Sequence, residues 1–229
     1  MEVVLHVGLP RSASSFLQQE VFDKHPKINY IDRRSLGGKI IDDGICFYDK
    51  HFFKLDSDKI NLISDECICQ PISRKDIVLN LKKYYNVKKV LLVYRDYYSL
   101  MQSYYKYHLL KGGTQSIHGF YQAHLVDFDI DDYVAFLVKN FDDVCILDMD
   151  VLRSDFNCFI NDLSNFLNIG LDGVENIIVN GSGNKDFNLS LLRLVNCFFK
   201  NRVHNPNGWG FIPDRYNFYR RYVKWRKIT

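Results

Sequence analysis

The sequence predicts an α/β protein in which a central parallel β-sheet is covered by helices on both faces. Short apolar runs alternate with segments of helical periodicity, and the clearest run, KKVLLVYR at residues 88–95, carries consecutive apolar residues. Continuous apolar runs are typical of buried parallel strands, and strand–helix alternation is typical of parallel sheets. The 229 residues contain no repeat or Pro/Gly-rich linker, so we predict a single domain over 1–229.

Five strands are predicted from the apolar runs between turn residues. They cover residues 3–7, 28–31, 60–64, 88–95 and 144–149. Residues 32–59 contain Gly37-Gly38 and scattered charges, and we expect this stretch to be irregular.

Helices are predicted where apolar residues recur at intervals of three and four. Ser73 and Asp76 give the second helix a start like a capping box, Gly112-Gly113 end the third, and Asp129 caps the fourth. The predicted helices cover residues 14–24, 73–85, 97–111, 130–140, 154–168, 188–201 and 214–227.

Charge and cysteine usage limit the classes of function. The net charge is only +3, which disfavours a nucleic-acid-binding protein. The segment RYNFYRRYVKWRKIT holds basic residues and no acidic one, so the helix at 214–227 is either solvated or a surface for an anionic acceptor or a membrane. The six cysteines form no C-x-x-C, and no signal-peptide pattern or apolar run of spanning length occurs. We expect a cytoplasmic protein, peripheral to the membrane if the basic terminus binds one.

The segment from Gly8 to Ser15 has the outline of a phosphate-binding loop, because it joins a strand to the start of a helix. In the P-loop pattern G-x-x-x-x-G-K-[ST], Ala13 stands in place of the second glycine and Ser14 in place of the lysine. The missing lysine disfavours an ordinary ATPase, and the basic residue is instead Arg11. The alternative is a simple strand-to-helix turn capped by Ser12 or Ser14.

A second motif, VYRDYYSLMQSYY, places Arg95 at a strand end and Ser103 eight residues later. Ser99 and Ser103 are spaced i, i+4 on the following helix, so both can face the strand end. An arginine fork with a hydroxyl suits a terminal phosphate. Together the two motifs predict a ligand with phosphate groups at two ends.

With both motifs considered, the sequence resembles the PAPS-dependent sulfotransferases of the bacterial type (PAPS is 3′-phosphoadenosine 5′-phosphosulfate). Their first motif, approximately G-x-P-[RK]-S-G-T-[TS]-x-L, corresponds to GLPRSASSFL from Gly8 to Leu17. Their second, approximately R-x-P-x-x-x-x-x-S-x-Y, corresponds to Arg95, Ser103 and Tyr105. Segments 148–170 and 183–196 resemble later parts of the family, so the resemblance runs over 3–201 in order. It implies a P-loop NTPase-like sulfotransferase fold.

The sequence departs from the family motifs at two positions. Ala13 replaces the usual glycine of the first motif, and alanine fits there without strain if its φ is negative. Tyr97 replaces the usual proline of the second motif, which affects only the entry to the helix. Neither departure removes a side chain that the chemistry needs.

The resemblance implies that PAPS is the co-substrate, that adenosine 3′,5′-bisphosphate (PAP) is the product, and that no metal is needed. The 5′-phosphosulfate would be held by the loop, with Arg11 also neutralising charge in the transition state, and the 3′-phosphate by Arg95 and Ser103. Asn184 and Lys185 would close over the nucleotide; the alternative for them is a surface turn marked by Gly181 and Gly183. The implied loop residues are Pro10, Arg11, Ser12, Ala13, Ser14, Ser15 and Phe16.

A general base must accept the proton of the acceptor hydroxyl. Asp65 and Glu66 follow the strand at 60–64, and we predict Glu66 as the base because part of the family has a glutamate at a comparable place. Asp65 is the first alternative, and the acidic pair could instead cap the turn or pair with a lysine. Three histidines are further candidates: His51, His108 and His118.

The acceptor is predicted to contact residues 32–59 and 107–124, and by analogy with the family it is a carbohydrate or glycolipid. The candidate contact residues are Arg33, Arg34, Tyr107, His108 and His118. Two other functions stay open on the sequence alone. One is a non-catalytic nucleotide-binding module on the same fold, and the other is a P-loop kinase-like enzyme, which the missing lysine disfavours.

Overall fold

A computed structural model describes nine stretches of the chain. They are residues 2–9, 11–32, 35–36, 38–40, 46–48, 54–69, 74–124, 130–177 and 189–198, with the backbone alone described for 38–40, 46–48, 66 and 67. The chain divides into two compact units: Met1–Asp96 with Asp127–Gly181, and Tyr97–Val126 with Ser182–Thr229. The extent of the domain stays a prediction.

The first unit contains a five-stranded sheet in which every neighbouring pair of strands is parallel. The strands are β1 (Val3–His6), β2 (Ile28–Ile31), β5 (Ile60–Ser64), β6 (Val87–Tyr94) and β7 (Asp143–Asp148). Their spatial order is β2-β5-β1-β6-β7. All five correspond to predicted strands, and the predicted α/β fold with a parallel sheet flanked by helices is confirmed.

Helical segments connect these strands. A short helix α1 (Ser14–Phe16) continues as a π-helix over Leu17–Phe22, and a 3-10 helix covers Glu66–Cys69. The α-helices that follow in this unit are α2 (Arg74–Tyr85), α5 (Ile130–Asn140), α6 (Met149–Ser154) and α7 (Phe156–Leu167). The second unit has α3 (Tyr97–Leu110), α4 (Ile117–His124) and α8 (Leu189–Cys197).

The helix predicted over 154–168 corresponds to α7, and a separate helix, α6, precedes it because the non-helical Asp155 lies between the two. Asp155 has φ −143° and ψ 81°, and its carboxylate accepts a hydrogen bond from the Cys158 N–H at 3.0 Å. Asp148 caps α6 in the same way, through a 2.8 Å bond from the Asp150 N–H. Each carboxylate satisfies a free N–H at a helix start and therefore stabilises a separate helix.

The prediction that 32–59 is irregular was wrong for residues 38–40 and 46–48 and holds for its other described residues. Two short strands, β3 (Gly38–Ile40) and β4 (Cys46–Tyr48), pair antiparallel there. Three-residue strands give no alternation long enough to detect. The helix predicted over 188–201 is described as far as Cys197, and the one predicted over 214–227 lies outside the described residues.

The core of the first unit lies between the sheet and the helices that follow β1 and β7. The apolar face of α7 supplies Phe159 and Leu163, which are buried with Leu17 and Phe22 of the π-helix. Burying side chains of this size contributes about 1.5–3 kcal/mol each. The core therefore fixes the helix that begins at the end of the predicted phosphate loop.

In the second unit a buried amide joins two helices. Asn196 of α8 is fully buried, and its Nδ2 donates to the carbonyl oxygen of Leu109 at 2.9 Å and also to that of Gly113. Phe120 of α4 lies against the ring of Tyr105, with the ring centroids 5.5 Å apart. No helix among the described residues is long and apolar enough to cross a membrane.

Candidate functional site

The loop after β1 turns sharply because two of its residues are left-handed. Arg11 has φ 69° and Ala13 has φ 57°. The expectation that Ala13 fits without strain depended on a negative φ, and the structure does not meet that condition. Alanine in this region carries a steric cost that glycine would avoid. The backbone of this loop is therefore held in a conformation that its own side chains disfavour.

The loop leads into a helix start that no side chain caps. Ala13 is the N-cap residue of α1 and makes no side-chain hydrogen bond there. Ser14 instead donates from Oγ to the Leu9 carbonyl at 3.4 Å, and Ser12 Oγ is buried without a partner among the described residues. The alternative interpretation of this loop was a turn in which Ser12 or Ser14 caps the helix. Neither serine caps α1 in the structure. An uncapped helix start leaves N–H groups that suit an anion.

Gly8 is required at its position by close packing. A Cβ added there would lie 2.2 Å from Ser14 Oγ and 2.8 Å from Cε1 of His6. Both distances are far below van der Waals contact, so the strand end and the first turn of α1 approach each other only because residue 8 lacks a side chain.

Arg95 is a buried cation directly after β6, and it contacts the loop. Only 9% of the residue is exposed, and its guanidinium donates to the Arg11 carbonyl at 2.7 Å. Its Nε is buried with no partner among the described residues, and its guanidinium forms no ion pair with any described carboxylate. Burial lowers the pKa of Arg95, and the charges of Arg153 and Arg11 lower it further. The charges of Asp150 and Asp96 act in the opposite direction, but neither forms an ion pair with Arg95, so this buried charge is only partly compensated and the site favours a bound anion.

Arg153 is a cation of this site that the sequence analysis missed. It lies in α6, which begins directly after β7, the neighbour of β6 in the sheet. Its NH1 donates to Asp150 at 3.0 Å, and about half of each side chain is exposed. Its position five residues after the end of a strand could have identified it as a site residue. That position is weak evidence, because arginine is common on helices that follow strands.

The strand next to β1 ends beside the loop with a network of buried polar groups. His6 of β1 and Ser64 of β5 are register partners, and Nδ1 of His6 lies 2.6 Å from Ser64 Oγ. Gln18 donates from Nε2 to the same hydroxyl at 3.0 Å. Sequence reasoning did not single out this network, because each member is an ordinary residue in its own segment.

The predicted base lies just beyond this network. Asp65 is 2% exposed, and Glu66 begins the 3-10 helix that ends at Cys69. The chain therefore leaves β5 at the same edge of the sheet as the loop leaves β1, because the two strands are parallel neighbours. The side chain of Glu66 lies outside the described part, and its role stays a prediction.

His6 itself is a poor candidate for the base. It is fully buried, and burial lowers its pKa to about 3. A fully buried imidazole with so low a pKa is a weak acceptor for the proton of a substrate hydroxyl.

The structure brings together part of the predicted cofactor set. Arg11 to Ser15 form the turn that Arg95 contacts, whereas the side chain of Phe16 is in the core against Phe156, with centroids 6.0 Å apart. Phe16 also uses its N–H for a 2.9 Å bond to Ala13. Several predicted site residues lie outside the described residues: Pro10, Arg33, Arg34, His51, Asn184 and Lys185.

Four predicted residues belong to the second unit, and their participation stays a prediction. Ser103 is half-buried on α3, and Tyr107 is exposed on the same helix with Lys111 Nζ 5.2 Å from its ring centre. His108 packs on Phe120 with ring centroids 5.1 Å apart, and His118 is exposed on α4. Within the described part of the chain, no group of three or more His, Cys, Asp or Glu side chains could hold a metal ion.

Comparison with known proteins gives a likeness in fold. No protein-family model matches the chain, and no curated protein matches it. Among solved structures, the chain is similar to a sulfotransferase from Alicyclobacillus acidocaldarius, with a TM-score of 0.54 and 12% identity over 78% of this chain and 86% of that one. The chain has a sulfotransferase-like α/β fold. At this identity the likeness concerns the fold alone.

Proposed function

We propose that this protein is a PAPS-dependent sulfotransferase. The observation that carries the proposal is the buried Arg95 guanidinium, which binds the carbonyl of Arg11 in the loop and has no described carboxylate as a partner. Two buried polar atoms, Arg95 Nε and Ser12 Oγ, have no partner in the part of the chain that the structure describes, and they fit the oxygen atoms of a phosphate or sulfate group. The sulfotransferase-like fold supports the same conclusion.

Different residues of the protein would bind the two ends of the nucleotide. The uncapped start of α1, with Ser14 and Ser15, would hold the 5′-phosphosulfate. Arg95, together with Ser103, would hold the 3′-phosphate, the group that distinguishes this co-substrate from ATP. Asn184 and Lys185 would close over the nucleotide. PAPS bound there supplies an activated sulfuryl group.

Transfer then needs a base and a stabilised leaving group. Glu66 would take the proton of the acceptor hydroxyl as its oxygen attacks sulfur in line with the bond to the 5′-phosphate oxygen. That sulfur–oxygen bond breaks, and Arg11 would neutralise the charge that develops on the bridging oxygen. The products are the sulfated acceptor and PAP, and no step requires a metal.

The acceptor is proposed to be a carbohydrate or glycolipid hydroxyl. Residues 32–59 and 107–124 would contact it, through Arg33, Arg34, Tyr107, His108 and His118. The basic segment 214–227 would supply contact with an anionic acceptor or a membrane surface, and a cytoplasmic location is part of this proposal.

Two measurements test the function. Titration calorimetry should give a higher affinity for PAP than for AMP by about tenfold or more, because each charge-assisted contact to the 3′-phosphate contributes about 1.5–3 kcal/mol. Equal affinities would contradict the proposal. Incubation of labelled PAPS with a panel of saccharides and glycolipids, analysed by mass spectrometry, should then reveal a sulfated product. Tight binding of PAP without transfer to any acceptor would favour a binding module instead.

A further inference from the structure

A chain of three buried or half-buried polar side chains lies beneath the phosphate loop. Gln18 of the π-helix donates to Ser64 Oγ at 3.0 Å, and Ser64 Oγ lies 2.6 Å from Nδ1 of His6. Ser64 and His6 are at most 1% exposed. No substrate could reach these groups directly, so any contribution to the reaction must act through the residues they hold.

The hydrogen atoms of this chain can be assigned from what each group offers. Ser64 accepts from the Gln18 amide and has one hydrogen of its own, which it can donate to Nδ1 of a neutral His6. Burial keeps His6 neutral, since it lowers the pKa to about 3. The remaining hydrogen of the ring is then on Nε2, which is buried and has no partner among the described residues.

The His6 end of this hydrogen-bonded network packs against the phosphate loop. Nε2 of His6 lies 2.9 Å from the place that a Cβ of Gly8 would take, and Ser14 Oγ lies 2.2 Å from that place. The imidazole is therefore packed against the backbone at the point where the loop leaves β1. A shift of the ring would move the start of the loop, since protein interiors leave little empty space.

Ser64 connects this hydrogen-bonded network to the segment that carries the predicted base. Ser64 is the last residue of β5, and Asp65 and Glu66 follow it directly. Gln18 adds a third attachment, because it belongs to the helical segment that begins at the end of the loop. One hydroxyl thus connects both ends of the loop to the strand that carries the base.

We propose that Gln18, Ser64 and His6 are positioning residues that hold the phosphate loop and the Asp65-Glu66 segment in register with each other. The catalytic consequence rests on the proposed function. The coupling of the two segments does not depend on it and can be measured without a substrate. Small misplacements of reacting groups reduce rates by up to about a hundredfold, so the effect should appear in kcat.

The test replaces Ser64 and uses a second serine as a matched control. Ser64→Ala removes the shared hydroxyl, and Ser64→Thr keeps it. Ser164→Ala removes a hydroxyl that donates to the Ile169 carbonyl at the end of α7 in the same unit. Hydrogen exchange followed by mass spectrometry reports on peptides covering residues 7–15 and 65–69, and it needs no substrate.

In Ser64→Ala, exchange should rise at least about tenfold in both peptides, because local opening follows the loss of local hydrogen bonds. Ser64→Thr should restore slow exchange, and Ser164→Ala should leave both peptides as in the wild type. In transfer assays with PAPS, Ser64→Ala should lower kcat at least about tenfold while KM for PAPS stays within about threefold.

The outcomes separate this proposal from the proposed function. Unchanged exchange in Ser64→Ala, or an equal rise in Ser164→Ala, would overturn the positioning role whatever the protein catalyses. A change in Ser64→Ala that is confined to KM for PAPS would also overturn the positioning role. Coupled exchange in a protein that binds neither PAP nor PAPS would support the positioning of the two segments and overturn the sulfotransferase function.

Discussion

Replacing Ala13 by glycine should stabilise the protein, whereas the same replacement in a regular helix should destabilise it. Ala13 has φ 57°, in the region where a Cβ crowds the following carbonyl oxygen and costs about 1–2 kcal/mol. Glycine removes that cost but loses about 0.5–1 kcal/mol more conformational entropy on folding. The difference predicts that Ala13→Gly increases the free energy of unfolding by about 0–1.5 kcal/mol.

The matched control is Ala135→Gly. Ala135 is exposed in the interior of α5, where glycine costs about 1 kcal/mol because no strain is relieved. Urea unfolding followed by circular dichroism gives both free energies from the midpoint and slope. The two variants should therefore change the free energy of unfolding in opposite directions. If Ala13→Gly destabilises the protein as much as Ala135→Gly does, the left-handed conformation of residue 13 is wrong.

Two further predictions concern the chemistry of the site. Arg11→Ala should lower kcat far more than it weakens PAP binding measured by calorimetry, because its charge is needed mainly in the transition state; a variant that keeps kcat and loses only affinity would make Arg11 a binding residue. Glu66→Gln should fold and bind PAP but transfer sulfate at least about a hundredfold more slowly, with Asp65→Asn as the companion variant. If Asp65→Asn alone is inactive, the base is Asp65, and if both remain active the carboxylate mechanism is wrong.

The strands and the place of the loop could be predicted because each depends on local sequence. Apolar runs identified β1, β5 and β6, and the parallel order followed from the alternation with helices. The sequence places Arg11 and Arg95 just after two strands, and the carboxyl ends of parallel strands meet at one edge of a sheet; there the Arg95 guanidinium donates to the Arg11 carbonyl at 2.7 Å.

The features that could not be predicted depend on backbone angles or on contacts distant in sequence. The positive φ of Ala13 could not be predicted, because alanine rarely adopts this conformation and nothing else in its sequence position indicates it. His6 and Ser64 are 58 residues apart, and only the register of β1 with β5 brings them together. Arg153 becomes informative only when α6 is known to follow the neighbour of β6.

The buried state of His6 predicts a specific pH dependence of stability. Burial lowers the pKa of His6 to about 3 from its usual 6.5 in the unfolded chain, and burial is the cause of that shift. Between these two values the unfolded protein binds one more proton than the folded one. Stability due to His6 is therefore complete above about pH 6.5 and is lost as the pH falls toward 3, at about 1.4 kcal/mol per pH unit.

Carboxylates also destabilise the protein as they become protonated, so the histidine must be isolated by comparison. His6→Asn removes the titrating ring and keeps a polar group near the Nδ1 position. Between pH 6 and pH 4.5 the free energy of unfolding from urea titrations should fall more steeply in the wild type than in His6→Asn, by about 1.4 kcal/mol per pH unit. Equal slopes would mean that His6 is accessible to protons in the folded protein. The imidazole would then not be the neutral, buried partner of Ser64 that the positioning of the loop requires.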